Sequence, residues 1–203
     1  EAGQFSIVGT DRHIGIKDVA KLSYTLRDPS LGGTFGFSEQ VVAAPKAATF
    51  PNGCHVCEVE IDPDTGICTL ASYVVVDDVG RVINPLLVKG QVHGGVVQGV
   101  GQILFEDIRY DEDGQLLTGS FMDYAMPRAA NFPDLVCEAN EVLTPMNPLG
   151  VKGAGEAGTV GALAAVVNAI VDALSPFGVD HIEMPATPER IWRTIRDAKA
   201  AQG

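Results

Sequence analysis

The chain has 203 residues, of which 46% are hydrophobic and 20% charged, a composition that is ordinary for a soluble globular protein. Its formal net charge is −12 and no run of basic residues occurs, so we expect no nucleic-acid partner. The longest apolar stretch, residues 162–171, is interrupted by Asn168 and falls short of a membrane span. No signal-peptide core is visible, and we expect a cytoplasmic protein.

Four cysteines are present, and two of them form a CxxC pattern in Cys54-His55-Val56-Cys57. A metal site usually needs a second pair of ligands, and a redox CxxC usually opens a helix. The residues on either side instead predict a strand, which would direct the two thiols to opposite faces. We interpret the cysteines as free thiols, in agreement with a reducing compartment.

The first predicted elements are a weakly periodic helix over residues 18–25 and a flexible loop at residues 29–33. Residues 55–61 alternate between apolar and polar side chains and predict a strand, and residues 67–77 predict the returning strand. The segment between them, residues 62–66, favours a turn, because Pro fixes φ, Asp bonds the backbone and Gly accepts positive φ. The two strands are therefore expected to form a hairpin.

Residues 79–85 predict a connecting loop, and residues 91–106 predict a helix from the spacing of their apolar side chains. Four glycines lie within this helix: Gly94, Gly95, Gly99 and Gly101. Each glycine costs about 1 kcal/mol relative to alanine in a helix. Because such a cost needs compensation, we expect another backbone or a ligand to pack very close to this helix.

The second half of the chain predicts another hairpin with its turn at residues 111–114, then a strand over residues 135–142. A last helix begins at Thr187-Pro188, where Thr suits the N-cap and Pro suits the first helical position. Strands and helices joined in this mixed order indicate an α+β fold in two layers, with a mixed sheet covered by helices.

Residues 153–158 match GxGxxG, a pattern of dinucleotide-binding folds. That fold needs a buried strand before the first glycine, whereas residues 144–152 contain two prolines and predict an irregular loop. An apolar helix follows to about Leu174, so the loop presents backbone N–H groups at a helix N-terminus. Glu156 stands where this helix should begin, and the helix dipole favours its ionised form. From the residues alone, Glu156 fits a general base and a helix-capping carboxylate equally well.

Four segments, taken in order, form a more specific signal. They are residues 76–85 (VDDVGRVINP), 90–99 (GQVHGGVVQG), 123–127 (DYAMP) and 147–158 (NPLGVKGAGEAG). Together they resemble the C-terminal part of the molybdenum-binding large subunit of the xanthine oxidase family. That family includes xanthine dehydrogenases, aldehyde oxidoreductases and aerobic carbon monoxide dehydrogenases.

The resemblance implies a molybdenum cofactor-binding domain in which Glu156 is the active-site base beside molybdenum. It also implies that Gln91 hydrogen-bonds the molybdopterin cofactor. We expect no protein side chain to be a ligand of the molybdenum. The other cofactor-binding candidates form the turn that places the glutamate: Lys152, Gly153, Ala154 and Gly155.

The resemblance further implies a molybdenum-dependent oxidoreductase that oxidises a small substrate with water as the oxygen source. The substrate classes of the family are aldehydes, N-heterocycles and carbon monoxide. Expected partners are the upstream domains of the large subunit, an iron–sulfur small subunit and an FAD-containing medium subunit. The bacterial character of the motifs favours the cytosine dinucleotide form of molybdopterin.

The family's large subunit is several times longer than this chain. We therefore expect residues 1–203 to be a single C-terminal molybdopterin-binding domain, either a fragment or one part of a split subunit, and to be inactive alone. Two alternatives remain open. One is a non-catalytic assembly or binding module that keeps the fold, and the other is a nucleotide-binding protein that uses the GxGxxG loop.

Overall fold

The computed structural model describes residues 3–25, 36–37 and 40–202. The chain divides into two compact units, residues 1–44 and residues 45–203. The expectation that residues 1–203 are one domain of a larger subunit stays a prediction.

The described residues of the first unit form two short antiparallel strands and one helix. Strands β1 (Gln4–Ser6) and β2 (His13–Gly15) pair with each other and precede helix α1 (Ile16–Thr25). The helix confirms the periodicity of residues 18–25, whereas the loop predicted at residues 29–33 lies outside the described residues.

The second unit contains a mixed three-stranded sheet. Its strands are β3 (Asn52–Ile61), β4 (Cys68–Asp78) and β5 (Leu135–Ala139). Strand β4 lies in the centre, antiparallel to β3 and parallel to β5. All three predicted strands are therefore confirmed, with ends that differ from the prediction by a few residues.

The turn between β3 and β4 has the predicted chemistry. The Asp62 carboxylate accepts hydrogen bonds from Asp64 N at 3.0 Å and from Thr65 Oγ1 at 2.7 Å. Gly66 has a φ of +72°, a conformation that glycine adopts without strain. The predicted hairpin is confirmed.

Three helices accompany this sheet: α2 (Pro85–Leu104), α3 (Ala157–Leu174) and α4 (Pro188–Gln202). Helix α4 begins as predicted, because Thr187 Oγ1 accepts a hydrogen bond from Arg190 N at 3.3 Å.

Helix α2 begins earlier than the predicted residue 91. Asn84 is its N-cap, and the Asn84 side chain accepts a hydrogen bond from Leu87 N at 3.2 Å. Pro85 occupies the first helical position, where its missing N–H costs nothing. The segment predicted as a loop, residues 79–85, therefore ends at a helix cap.

One hydrophobic core joins the central strand to the three helices. Core side chains that are at most 1% exposed include Tyr73 and Val75 from β4, Val92, Val96, Val100 and Ile103 from α2, Ala162, Val166 and Ile170 from α3, and Ile191 and Ile195 from α4. This packing confirms the predicted two-layer α+β fold. Residues 157–177 are long and apolar enough to cross a membrane by length and composition alone, but one face of this segment forms part of the core.

The second predicted hairpin does not form strands. Its turn is present, with a hydrogen bond from Gly114 N to Asp111 O at 3.1 Å. Among the described residues, the segments on the two sides of the turn form only one isolated β-bridge, between Tyr110 and Leu116. No neighbouring strand pairs with this segment in the described part of the chain, and an isolated hairpin is at best marginally stable.

The glycines of α2 allow α3 to approach closely. A Cβ atom at Gly95 would lie 2.9 Å from Thr159 N, and one at Gly99 would lie 3.0 Å from Thr159 O. From the other helix, a Cβ atom at Gly158 would lie 2.5 Å from Val92 O. The expectation that another backbone packs against α2 is therefore confirmed at these positions.

The carboxylate of Asp78, the last residue of β4, connects three segments of the chain. Its Oδ1 accepts hydrogen bonds from Gly80 N at 2.9 Å and from Val142 N at 3.0 Å, and its Oδ2 accepts one from Lys152 Nζ at 2.5 Å. Lys152 N also donates to Val79 O at 2.8 Å. The loop that precedes α3 is thus anchored to the end of β4.

The helix contact predicts opposite effects for two adjacent glycines. Gly95→Ala should destabilise the protein by about 1–3 kcal/mol, because the new methyl group collides with the α3 backbone. Gly94→Ala is the control, since nothing lies within 4 Å of its Cβ position, and it should stabilise the helix by up to about 1 kcal/mol. The free energy of unfolding from denaturant titration measures both. Equal effects of the two substitutions would contradict this account of the contact.

The Asp78 interactions predict a pH dependence. The hydrogen bond from Lys152 is the main cause that lowers the pKa of Asp78 to about 2. Because this folded-state pKa lies below the unfolded value, the stabilisation is complete above about pH 4 and is lost as the pH falls through about 2. Asp78→Asn should therefore flatten the fall of the unfolding free energy in that window.

Denaturant titrations at a series of pH values test this expectation. Asp64→Asn, which removes an exposed carboxylate in the β3–β4 turn, is the control. If the stability of the Asp78→Asn protein fell with pH in parallel with that of the wild type, the ion pair would contribute nothing to acid stability.

Candidate functional site

A groove with a volume of about 540 Å³ lies beside the start of α3. One part of its lining comes from residues 49–53, at the beginning of β3. Another comes from the loop and first turns of α3, between Gly153 and Gly161. The side chains of His55 and Asp77 complete the lining.

Glu156 occupies the N-cap position of α3, with a φ of −109° and a ψ of −8°. Its backbone O accepts a hydrogen bond from Val160 N at 3.0 Å. Its side chain is exposed and makes no hydrogen bond with the described residues. The carboxylate therefore does not cap the helix, and it is available to a group that enters the groove.

Gly153, Ala154 and Gly155 form the backbone that leads into α3. Their N–H groups donate no hydrogen bond within the described part of the chain. A Cβ atom at Gly153 or at Gly155 would have no neighbour within 4 Å. Both glycines line the groove, whereas the half-buried Ala154 does not. Free N–H donors beside a helix N-terminus suit a ligand that is rich in acceptors.

The side chain of Lys152 is committed to Asp78. The two side chains are each 11% exposed and form an ion pair. The observed contribution of Lys152 is to hold the loop in place, and its contact with a cofactor stays a prediction.

Gln91 lies on α2, is exposed and is not part of the groove lining. A Cβ atom at the neighbouring Gly90 or Gly94 would have no neighbour within 4 Å, so the surface around Gln91 is open. The structure does not bring Gln91 into the groove with Glu156. A ligand that contacts both residues must extend from the groove to α2.

Two residues of the groove, His55 and Asp77, were not among the predicted site residues. His55 Nδ1 lies 2.7 Å from Tyr73 Oη, and His55 Nε2 lies 3.3 Å from Asp77 Oδ1. Asp77 Oδ2 is buried and has no hydrogen-bond partner among the described residues. A signal for this pair exists in the sequence. His55 in β3 and Asp77 in β4 are polar residues at inward-facing positions of two adjacent strands, and buried polar groups need hydrogen-bond partners.

The CxxC cysteines occupy the two faces of β3, as predicted for a strand. Cys54 is exposed, whereas Cys57 packs against the core together with Cys68. Burial raises the pKa of Cys57 to about 11 and the pKa of Cys68 to about 12, so both thiols are protonated at neutral pH. In residues 3–25, 36–37 and 40–202, no three His, Cys, Asp or Glu side chains are grouped as ligands of a metal ion.

Comparisons with known proteins agree with the resemblance. Residues 1–133 match the molybdopterin cofactor-binding domain family. The chain is 40% identical to the nicotine 6-hydroxylase large subunit of Paenarthrobacter nicotinovorans, over 100% of the chain and 25% of that subunit. It is 38% identical to subunit gamma of the 6-hydroxypseudooxynicotine dehydrogenase complex of the same organism, over 99% of the chain and 25% of that subunit.

The fold agrees with the same relationship. A crystal structure of a Cu,Mo-CO dehydrogenase superposes with a TM-score of 0.87 at 32% identity, over 98% of this chain and 25% of that one. The chain thus spans about a quarter of the length of the relatives it matches. The chain belongs to the molybdopterin cofactor-binding domain family and corresponds to a portion of the molybdenum-binding large subunits of the xanthine oxidase family.

Proposed function

We propose that this chain is the C-terminal domain of a molybdenum hydroxylase and that Glu156 is the general base of that enzyme. One observation carries the proposal: the Glu156 carboxylate is exposed to the groove at the N-terminus of α3 and makes no hydrogen bond with the described residues. A base must be ionised and must reach the proton that it accepts. The small neighbours of Glu156, Gly155 and Ala157, leave its carboxylate accessible.

The residues present fit a molybdopterin cofactor. The N–H groups of Gly153, Ala154 and Gly155, which donate to no described residue, would donate to its acceptor atoms. The Gln91 amide would contact it where Gly90 leaves the α2 surface open. When bound, the cofactor would supply the redox chemistry, as the acceptor of the two electrons that the substrate loses.

The chain's own residues supply proton transfer and orientation. Glu156 accepts at its carboxylate the proton that a water-derived oxygen loses as this oxygen bonds to the substrate carbon, and the electron pair that the substrate gives up would pass to the bound cofactor. A positioned base of this kind contributes about 10²–10⁴-fold in rate. The ion pair of Lys152 with Asp78 holds the loop that places Glu156. Phe50 and Val160 add apolar surface to the groove.

The substrate we propose is a small molecule with an electron-poor carbon, of the aldehyde, N-heterocycle or carbon monoxide class. Similarity to a nicotine hydroxylase subunit favours an N-heterocycle among these classes. The cofactor form that we propose is molybdopterin cytosine dinucleotide.

The partners that we propose are the upstream domains of the large subunit, an iron–sulfur small subunit and an FAD-containing medium subunit, which would carry the electrons away. Two relatives are named as subunits, in agreement with such an assembly. The four free cysteines support a cytoplasmic location.

Glu156→Gln in the complete enzyme should reduce turnover by at least about 10²-fold and leave the molybdenum content unchanged, because the amide keeps the shape but accepts no proton. Steady-state oxidation of an N-heterocycle, with molybdenum measured by elemental mass spectrometry, tests both parts. Glu112→Gln, at an exposed position of the residue 111–114 turn, is the matched control.

Retained turnover in the Glu156→Gln enzyme would rule out its role as the base. A molybdenum-loaded wild-type enzyme that oxidised no aldehyde, N-heterocycle or carbon monoxide would instead favour the non-catalytic module.

Gln91→Ala should lower the molybdenum and pterin content of the complete enzyme, because a hydrogen bond to the cofactor is lost. Gln102→Ala is the matched control, since Gln102 is also an exposed glutamine of α2. Equal pterin content in the two variants would show that Gln91 does not bind the cofactor.

A further inference from the structure

His55 is fixed at both ring nitrogens in the lining of the groove. Its Nδ1 lies 2.7 Å from Tyr73 Oη and its Nε2 lies 3.3 Å from Asp77 Oδ1. The side chain of His55 is 5% exposed and that of Asp77 is 6% exposed, and Tyr73 is fully buried. The proton transfer proposed for Glu156 does not use any of these three residues.

The polar atoms of these residues fit one arrangement of protons. Tyr73 Oη has no other partner among the described residues, so its hydroxyl donates to His55 Nδ1 and is satisfied. His55 Nε2 then carries the ring proton and donates to Asp77 Oδ1. His55 is thus the one side-chain partner of Asp77 in the described part of the chain, because Asp77 Oδ2 has none. Loss of the ring would leave a buried carboxylate without a partner.

Two glycines provide the space for the imidazole and the carboxylate. A Cβ atom at Gly161 of α3 would overlap the His55 ring, and a Cβ atom at Gly53 of β3 would overlap Asp77 Oδ1. The His55 ring occupies the volume that a side chain at residue 161 would need. The ring is therefore in direct contact with the backbone of α3.

This contact lies close to the base along the helix. Gly161 follows Glu156 by five residues, a rise of roughly 7 Å, and Val160 N donates to Glu156 O at 3.0 Å. The Glu156 side chain makes no hydrogen bond with the described residues, so the backbone of the first turns of α3 sets the point from which its carboxylate extends. Gly158 in the same turns contacts the α2 backbone, so the start of α3 is held between α2 and the His55 ring.

We propose that His55 is a positioning residue for Glu156: its ring, held by Tyr73 and Asp77, fixes the first turns of α3 and thereby the carboxylate. This proposal rests on the proposed role of Glu156 as the base. It requires no contact between His55 and the substrate. A misplacement of about 1 Å can cost about 10²-fold in rate, so the loss of the ring should appear in kcat.

The test uses the complete enzyme with its molybdenum content measured. His55→Leu introduces an apolar side chain of similar size and removes both hydrogen bonds. We expect kcat to fall about 10- to 100-fold, with KM within about twofold of the wild-type value and the molybdenum content unchanged. His55→Gln retains an N–H group that can donate to Asp77, and it should recover most of the lost turnover.

The control variant loosens α3 far from the base. Ile170→Val removes one buried methyl group from the core roughly 20 Å further along the helix, and it should leave kcat unchanged. The His55→Gln enzyme also serves as the test if the His55→Leu enzyme does not fold, because it should show a smaller fall in kcat of the same kind.

Hydrogen exchange gives a readout that is independent of activity. The amide of Val160, which bonds Glu156 O, should exchange faster in the His55→Leu enzyme and at the wild-type rate in the Ile170→Val enzyme. Equal exchange in both variants would overturn the positioning role. So would an unchanged kcat in the His55→Leu enzyme, a change confined to KM, or a loss of molybdenum, since each of these assigns His55 a different role.

The Glu156→Gln enzyme distinguishes failure of this proposal from failure of the proposed function. If the Glu156→Gln enzyme is inactive and the His55→Leu enzyme is fully active, the positioning role alone is overturned. If the Glu156→Gln enzyme is active, the base assignment fails and the positioning role fails with it.

Discussion

The hydrogen bonds of Asp78 are the constraint on which the geometry of the site depends. Its carboxylate accepts hydrogen bonds from Gly80, Val142 and Lys152, which belong to three different segments. A largely buried ion pair is tolerated when its remaining lone pairs are satisfied, and here the two backbone amides fulfil that condition. Because Lys152 also begins the turn that leads to Glu156, the end of the central strand determines where α3 starts.

Glycine has two distinct uses in α2. Gly95 and Gly99 face α3. Because they lack side chains, the two helix backbones lie so close together that a single methyl group at either position would collide with α3. Gly90 and Gly94 face open space and make no comparable contact with the described residues. The first kind of glycine is explained by this chain alone. The second kind keeps a surface next to Gln91 accessible, which suits a large cofactor that approaches from outside the unit.

The sequence predicted best the elements that depend on neighbouring residues, such as the β3–β4 hairpin and its turn. The predicted start of α2 at residue 91 was wrong. Asn84 followed by Pro85 is a helix-start signal, but the first apolar residues of the helix are exposed and do not follow the periodicity of its buried face. The position of Glu156 followed from its motif. The pairing of His55 with Asp77 could not be predicted, because it depends on the register of two strands and joins residues 22 positions apart.

The contact between the His55 ring and Gly161 also restricts how this sequence can change over evolutionary time. A larger residue at position 161 fits only after position 55 has become smaller, because the two share one volume. A smaller residue at position 55, however, leaves the Asp77 carboxylate buried without its partner. Each single replacement is therefore disfavoured while the other two residues remain. Positions 55, 77 and 161 form an epistatic set that homologous sequences should keep or exchange together.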